Sequence, residues 1–320
     1  MTSVQLAQAS NAAVYATMVT LAIAMIFFAV SFAAGRRRAT AAPVPVEVES
    51  GGGAAVITRP PAVDDAPLEP GRRAANIGMS LTWLAFFTLL LGVVLRGVWA
   101  GRAPWGNMYE FSISAALGVL GVFLVLSIRR DLRWLGLFVV IPTLLWLGLA
   151  VTVLYTEAAQ LVPALKSYWL VIHVAAAIIC FGAFTLAAAT AGLSLARGRV
   201  ERRQGTTEVV GWTSRMPTSE RLQVLTNRVV AFSFPLWTFA VVAGAIWAEN
   251  AWGRYWGWDP KETWAFITWV IFAAYLHARS TAGWRGNRAS WIAIAGWVSF
   301  LINYFGVNIF VNSLHSYAGV

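Results

Sequence analysis

The chain has 320 residues, 58% of them apolar and 12% charged, against roughly half and a quarter in an ordinary soluble domain. A mean hydropathy of +0.65, with 17 Trp and 18 Phe, excludes a soluble single domain and makes the bilayer the natural solvent. The net charge of +10, from 22 Arg and 2 Lys against 14 acidic residues, would suit a nucleic-acid binder, but its placement along the chain excludes that reading too.

Eight apolar stretches of about 20 residues predict an all-α, polytopic integral membrane protein with about eight transmembrane helices. The first, near Ala12 to Ala34, is followed by Arg36, Arg37 and Arg38 and preceded by no basic residue, the reverse of a secretion signal. Residues 1–34 therefore read as an uncleaved N-terminal membrane helix that starts outside. Residues 35–76, with Gly51-Gly52-Gly53 and Pro60-Pro61, hold too few large apolar side chains to fold and read as a flexible cytoplasmic linker. The remaining spans lie near Ile77 to Trp99, Tyr109 to Ile128, Trp134 to Tyr155, Tyr168 to Ala196, Val229 to Ala248, Pro260 to Ser280 and Trp291 to Phe310, so residues 77–320 form one membrane domain. Alternation puts both termini on the extracytoplasmic side. The inner segments and span ends then hold 19 of the 24 basic residues, with Arg96, Arg102, Lys166, Arg254 and Lys261 outside. The positive-inside rule accounts for this charge without nucleic acid, and the multi-pass chain is expected in the plasma membrane. In the inner loop 197–228, Glu220 to Leu225 is expected to form an amphipathic helix on the inner leaflet.

The fifth span carries His173 about one turn inside its outer end, on one face with Trp169. It also carries Cys180, the single cysteine, which excludes a disulfide framework and a C-x-x-C redox pair and reads as a small packed group. Between spans six and seven the sequence is WAENAWGRYWGWDPKETW, residues 247–264, and seven Trp fall between Trp237 and Trp269. An interfacial belt explains Trp247 and Trp264. It explains less well Trp252, Trp256 and Trp258 beside Gly253 and Gly257, where backbone can approach a bulky flat ligand. Asp259, Pro260 and Glu262 read first as a helix start: N-cap, Pro at the first position, and Glu three residues after the cap. Asn107 and Glu110 follow the same logic at span three. Those carboxylates make poor neighbours for an anion, whereas Lys261 and Arg254 are suited to meet one.

His277 lies about 25 Å along its helix from the cap, toward the inner half of the membrane. His315 lies just beyond span eight, where Tyr304, Asn308, Asn312 and His315 recur at spacings of four, four and three along one helical face. For the asparagines, simple interhelical hydrogen bonding serves equally well. Two imidazoles beside clustered indoles and a few cations suit haem: its iron takes axial nitrogens, its macrocycle packs on aromatic faces, and its propionates accept N–H donors. A dinuclear metal site would want more His and carboxylates, and a quinone would not need two histidines.

The string WGRYWGWDPKETW resembles the tryptophan-rich WWD motif of the haem-handling proteins of cytochrome c maturation, and the whole pattern is similar to the CcsA/ResC type of system II. The match includes SYWLVIH around His173, TWAFITWVIFAAYLHAR leading to His277, and NSLHSYAG containing His315, and covers the chain from about Ile77 onward. System I proteins share the tryptophan loop and flanking histidines; eight spans, the third histidine and the short C-terminus favour system II. The resemblance implies a component of a holocytochrome c synthase. It would carry haem b as substrate and present it on the extracytoplasmic side for thioether attachment to a C-x-x-C-H segment of apocytochrome c. A Ccs1/ResB-type membrane subunit and a thiol-reducing system are its implied partners. By the same resemblance His173 and His315 are the outer axial ligands of the haem iron. Trp252, Trp256, Trp258 and Trp264, with Arg254 and Lys261, hold the porphyrin, and His277 belongs to an inner haem site whose second ligand the partner would supply. No catalytic residue is expected, because the substrate brings its own thiols. A haem exporter or chaperone without a ligation role, and a non-haem membrane transporter, remain the competing functions.

Overall fold

The computed structural model describes residues 2–34, 70–158 and 167–315. Most of the expected linker, residues 35–69, and Lys166 lie outside the described residues.

Helices occupy all eight apolar stretches: α1 Ser3–Ala34, α2 Pro70–Ala100, α3 Met108–Arg129, α4 Gly136–Thr152, α5 Tyr168–Gln204, α6 Ser219–Trp252, α7 Pro260–Ser280 and α8 Asn287–Leu301. A π-helical turn, Ile302–Gly306, and a short α9, Val307–Phe310, continue α8. No strand occurs among the described residues. Seven helical runs are long and apolar enough to cross a membrane. The remaining one, α7, has a spanning length of 21 residues but carries Lys261, Glu262, His277 and Arg279. The chain is thus an all-α, multi-pass membrane protein. Both α5, at 37 residues, and α6, at 34 residues, outrun the apolar stretches that announced them.

The amphipathic surface helix expected at Glu220 to Leu225 is instead the first turns of α6. The loop before it is fastened to α5, which makes a separate helix unnecessary. Buried Arg197 donates to the carbonyls of Thr213 and Thr207, each at 2.5 Å, and to Glu201 at 2.9 Å. Glu201 in turn accepts from the N–H and hydroxyl of Ser219 at the start of α6.

α5 is the central element, packed against α3, α6 and α8, while α1 lies along α2 and α4. Without a hydrophobic drive between helices in lipid, close packing and hydroxyl pairs must hold the bundle. Gly118 on α3 and Gly182 on α5 meet backbone to backbone: a Cβ on Gly118 would lie 2.7 Å from the Ile178 carbonyl oxygen, and one on Gly182 would run into the Gly118 carbonyl. Thr190 pairs with Thr226 at 2.8 Å, Ser194 with Ser290 at 3.0 Å and Thr268 with Ser299 at 2.8 Å. Cys180 is fully buried with its Sγ 3.6 Å from the Ser233 carbonyl, in keeping with a packing role. The π turn is tied to α3 by Tyr304, whose hydroxyl donates to the Met108 carbonyl at 2.7 Å and lies 2.8 Å from the Ser112 hydroxyl.

Candidate functional site

Trp237, Val241, Gly244 and Ala248 recur along α6 at spacings of four, three and four, so they share a helical face, and all four border one cavity. His173 of α5 reaches this face. Its Nδ1 lies 2.7 Å from the Ala240 carbonyl oxygen. A carbonyl can only accept, so Nδ1 carries the hydrogen and Nε2 the lone pair of the neutral ring. Gly244 makes the approach possible, since a Cβ there would stand 2.8 Å from Nδ1 and 2.9 Å from Cε1 of the imidazole.

His315 arrives by another route. The face expected to run from Tyr304 to His315 is broken, because the π turn inserts a wider turn and the helix ends at Phe310. The chain then folds back onto the start of α7. There the Leu314 N–H donates to Asp259 Oδ2 at 2.8 Å, and His315 Nδ1 lies 2.8 Å from Asp259 Oδ1. Asp259 also accepts from the Lys261 N–H at 3.1 Å and forms, with Glu262, the capping box expected of Asp259-Pro260-Lys261-Glu262. One carboxylate therefore starts a helix, clamps a returning segment and orients an imidazole. Burial drives the His315 pKa down to about 4 against the opposing pull of Asp259. Burial works against the Asp259 carboxylate, yet the Leu314 N–H, His315 and the Lys261 N–H hold its pKa below the usual value. The pair at neutral pH is thus a carboxylate and a neutral imidazole whose Nε2 bears the lone pair, the carboxylate–histidine arrangement that orients metal ligands.

Trp247 packs against both histidines. Its ring is parallel to that of His173, with centroids 6.4 Å apart and 13° between planes, and edge-on to His315 at 5.4 Å. The belt role expected for Trp247 does not hold, because the side chain is 1% exposed. Trp252 packs edge-on against both His315, at 4.6 Å, and Trp247, at 4.9 Å.

The cavity has a volume of about 180 Å³ and is open to the outside, and its wall includes His173, His315, Trp105, Trp237, Trp247, Trp256, Lys261, Asn303, Tyr304 and Asn308. Several buried polar atoms in its wall lack a hydrogen-bond partner: the indole N–H groups of Trp237 and Trp247, Asn303 Oδ1 and Glu262 Oε1. Groups left so are costly unless a ligand satisfies them. Among the described residues no three His, Cys, Asp or Glu gather to hold a metal ion. A metal suited to two imidazoles here would bring its remaining ligands with it, as a macrocycle does.

The other expected residues fall into distinct places. Trp256 and Lys261 border the cavity. Arg254 curls over Gly257, filling the space a Cβ would need, with Nη1 3.8 Å from Glu262 Oε1. Neither of these two atoms has a hydrogen-bond partner. Trp258 and Trp264 stand outside the lining; Trp258 is 65% exposed, edge-on to Trp256, and takes a left-handed φ of +58°. His277 is exposed on α7, one turn before the end opposite the cavity. The contributions of Trp237, Gly244, Phe300 and Asn303 were not anticipated. The α6 members carried a signal in their helical spacing, whereas Asn303 is brought in by the π turn, which no periodicity announces.

Residues 105–315 match the family model described as cytochrome C assembly protein. The cytochrome c biogenesis protein CcsA of Guillardia theta is 36% identical over 256 residues, covering 75% of this chain and 85% of that one. That of Picosynechococcus sp. is 34% identical over 296 residues, covering 75% and 88%. That of Porphyra purpurea is 35% identical over 275 residues, covering 73% and 86%. Among solved structures, cytochrome c heme lyase CcmF shares the fold with a TM-score of 0.58 at 15% identity, over 95% of this chain and 47% of that one. The chain thus spans about half the length of that structure.

Proposed function

The chain belongs to the cytochrome c assembly protein family, and from that premise we propose that it binds haem b as carried substrate and presents it for attachment to apocytochrome c. The observation that carries this reading is the paired tautomers. Two imidazoles that line the same cavity have Nδ1 hydrogen-bonded, to the Ala240 carbonyl and to Asp259, and so offer Nε2 as the metal-binding nitrogen. His173 and His315 are the axial ligands. Trp256 and Trp247 supply flat walls, Trp252 buttresses His315, and Lys261 and Arg254 meet the propionates. Trp258 and Trp264 contribute at the rim rather than in the wall.

The chemistry requires no nucleophile from the chain. Each of two substrate thiols adds across a haem vinyl group, its sulfur bonding to the inner vinyl carbon and its proton ending on the outer one. No net oxidation occurs, so the substrate cysteines must arrive reduced, which assigns a thiol-reducing system as a partner. What these residues do is hold vinyls beside thiols, which converts a rare encounter into a local one. The cavity end faces the extracytoplasmic side of the plasma membrane on the positive-inside rule, where such substrates are met. In this reading residues 77–320 are the haem-handling domain, with residues 1–34 an added span and 35–76 a cytoplasmic linker. His277, an ionisable group exposed on a spanning helix, calls for a covering partner. A Ccs1/ResB-type subunit that supplies a second imidazole meets that need and makes His277 part of an inner haem site.

The test is an absorption spectrum of the protein purified with and without that subunit. A low-spin bis-imidazole haem signature is expected, lost in His173→Ala and His315→Ala and restored by added imidazole, with no cytochrome c matured by either variant unaided. Normal maturation by both would overturn the ligand assignment.

A further inference from the structure

The haem cavity has a second wall built like the tryptophan loop. Before α3 the sequence runs Trp105-Gly106, then the cap Asn107, then Glu110 three residues later; before α7 it runs Trp256-Gly257, then the cap Asp259, then Glu262 three residues later. The likeness extends to the hydrogen bonds. Gly106 N–H donates to Glu110 Oε2 at 2.8 Å, and Gly257 N–H donates to Glu262 Oε2 at 2.8 Å. In both copies an arginine four or three residues ahead of the glycine folds over it and turns to the glutamate. Arg102 lies where a Gly106 Cβ would meet it at 2.5 Å, and its Nη1 bonds Glu110 at 2.7 Å. Arg254 covers Gly257 in the same way. The two copies begin different helices, and both tryptophans border the one cavity.

They differ in how firmly they are held. Glu110 is fully buried and takes a second guanidinium, Arg96 of α2, at 3.1 Å; Arg96 is itself 0% exposed. The Trp105 indole N–H is fixed on Ser114 at 3.2 Å. The Trp256 copy contains one extra residue, Trp258 in a left-handed conformation, and its Arg254 and Glu262 approach no closer than 3.8 Å, beyond hydrogen-bonding range.

We propose that Trp105 is a haem-contacting residue, the fixed counterpart of Trp256 on the cavity wall, and that Glu110 is the positioning residue that holds it through Gly106, Arg102 and Arg96. The proposal rests on the haem-binding reading above. A flat ligand is gripped by one rigid and one adjustable copy of the same device, so Trp105 sets where the macrocycle lies and the Trp256 side closes onto it.

The full chain, purified in detergent with its haem b, tests this by the rate of haem transfer to apomyoglobin and by haem per folded chain. Trp105→Ala should release haem roughly tenfold faster, with the low-spin spectrum retained because both iron ligands remain. Trp105→Phe keeps a ring and should fall between. Glu110→Gln should speed release while Glu110→Asp restores much of the loss. A merely structural role would lower the amount of folded protein and leave release from the folded fraction unchanged, and that result overturns the proposal. If Trp105→Ala fails to fold, Trp105→Phe and Glu110→Gln decide: release rates equal to the unaltered protein overturn it. Absence of haem from the unaltered protein would instead defeat the haem-binding reading, and this inference with it.

Discussion

Asp259 performs two tasks that a single substitution can separate. Asn caps helices about as well as Asp, so Asp259→Asn should accumulate near the unaltered level. Its neutral side chain orients His315 more weakly, and outer-site haem affinity should fall about tenfold or more, the usual cost of losing a group behind a metal ligand. Asp259→Ala should lose the cap as well, roughly 0.5–2 kcal/mol, and accumulate less. Equal haem retention in Asp259→Asn and unaltered protein would leave Asp259 a cap only. Gly244→Ala is the matching test at His173. The new Cβ would fall 2.8 Å from Nδ1, so the ring must move, and the haem should become five-coordinate in protein that still inserts normally. An unchanged low-spin spectrum would mean that α6 yields instead. Acid should act through His315. Its folded pKa of about 4 lies below the ordinary 6.5, so the unfolded chain binds the extra proton first and stability must fall as pH drops from 6.5 toward 4. Lys261 and His173 nearby reinforce that direction. Thermal unfolding of haem-free protein should therefore be less sensitive to pH above this window than within it, and His315→Gln should reduce the slope.

At the scale of helices, the backbone contact between Gly118 and Gly182 holds α3 against α5. Gly182→Val should abolish accumulation, because its side chain has only the Gly118 carbonyl to displace. Gly192, on the same helix, has open space where a Cβ would go, so Gly192→Ala should be neutral or slightly stabilising. Similar losses in both would assign the effect to glycine's flexibility rather than to the crossing. The helices themselves were legible in the sequence because apolar length is a strong signal in lipid, and the α7 start was legible because capping depends on local chemistry. Trp247 was misread as an interfacial ring, since burial against two histidines depends on which way α6 is turned. His315 was found in the right place by the wrong path. A regular helix would have carried it along one face, but the π turn and the return onto Asp259 are tertiary effects with no period to read.

The whole molecule divides unevenly about its cavity. Among the described residues none from α1 or α2 borders it, and the family match begins at Trp105. The helical pair nonetheless reaches the site through Arg96, buried against Glu110 and donating to the Thr156 carbonyl beyond α4. Removing one partner of a buried ion pair leaves the other uncompensated, commonly at about 3–5 kcal/mol. The first hundred residues are therefore a detachable piece with an electrical plug. Produced as two polypeptides, 1–103 and 104–320, the protein should reassemble in the membrane and retain haem. With Arg96→Met and Arg102→Met together in the first piece, both guanidinium partners of Glu110 are gone, the second piece should be left holding an unneutralised carboxylate behind Trp105, and complementation should fail. Equal recovery with either version of the first piece would show that lipid-facing helix packing alone joins them.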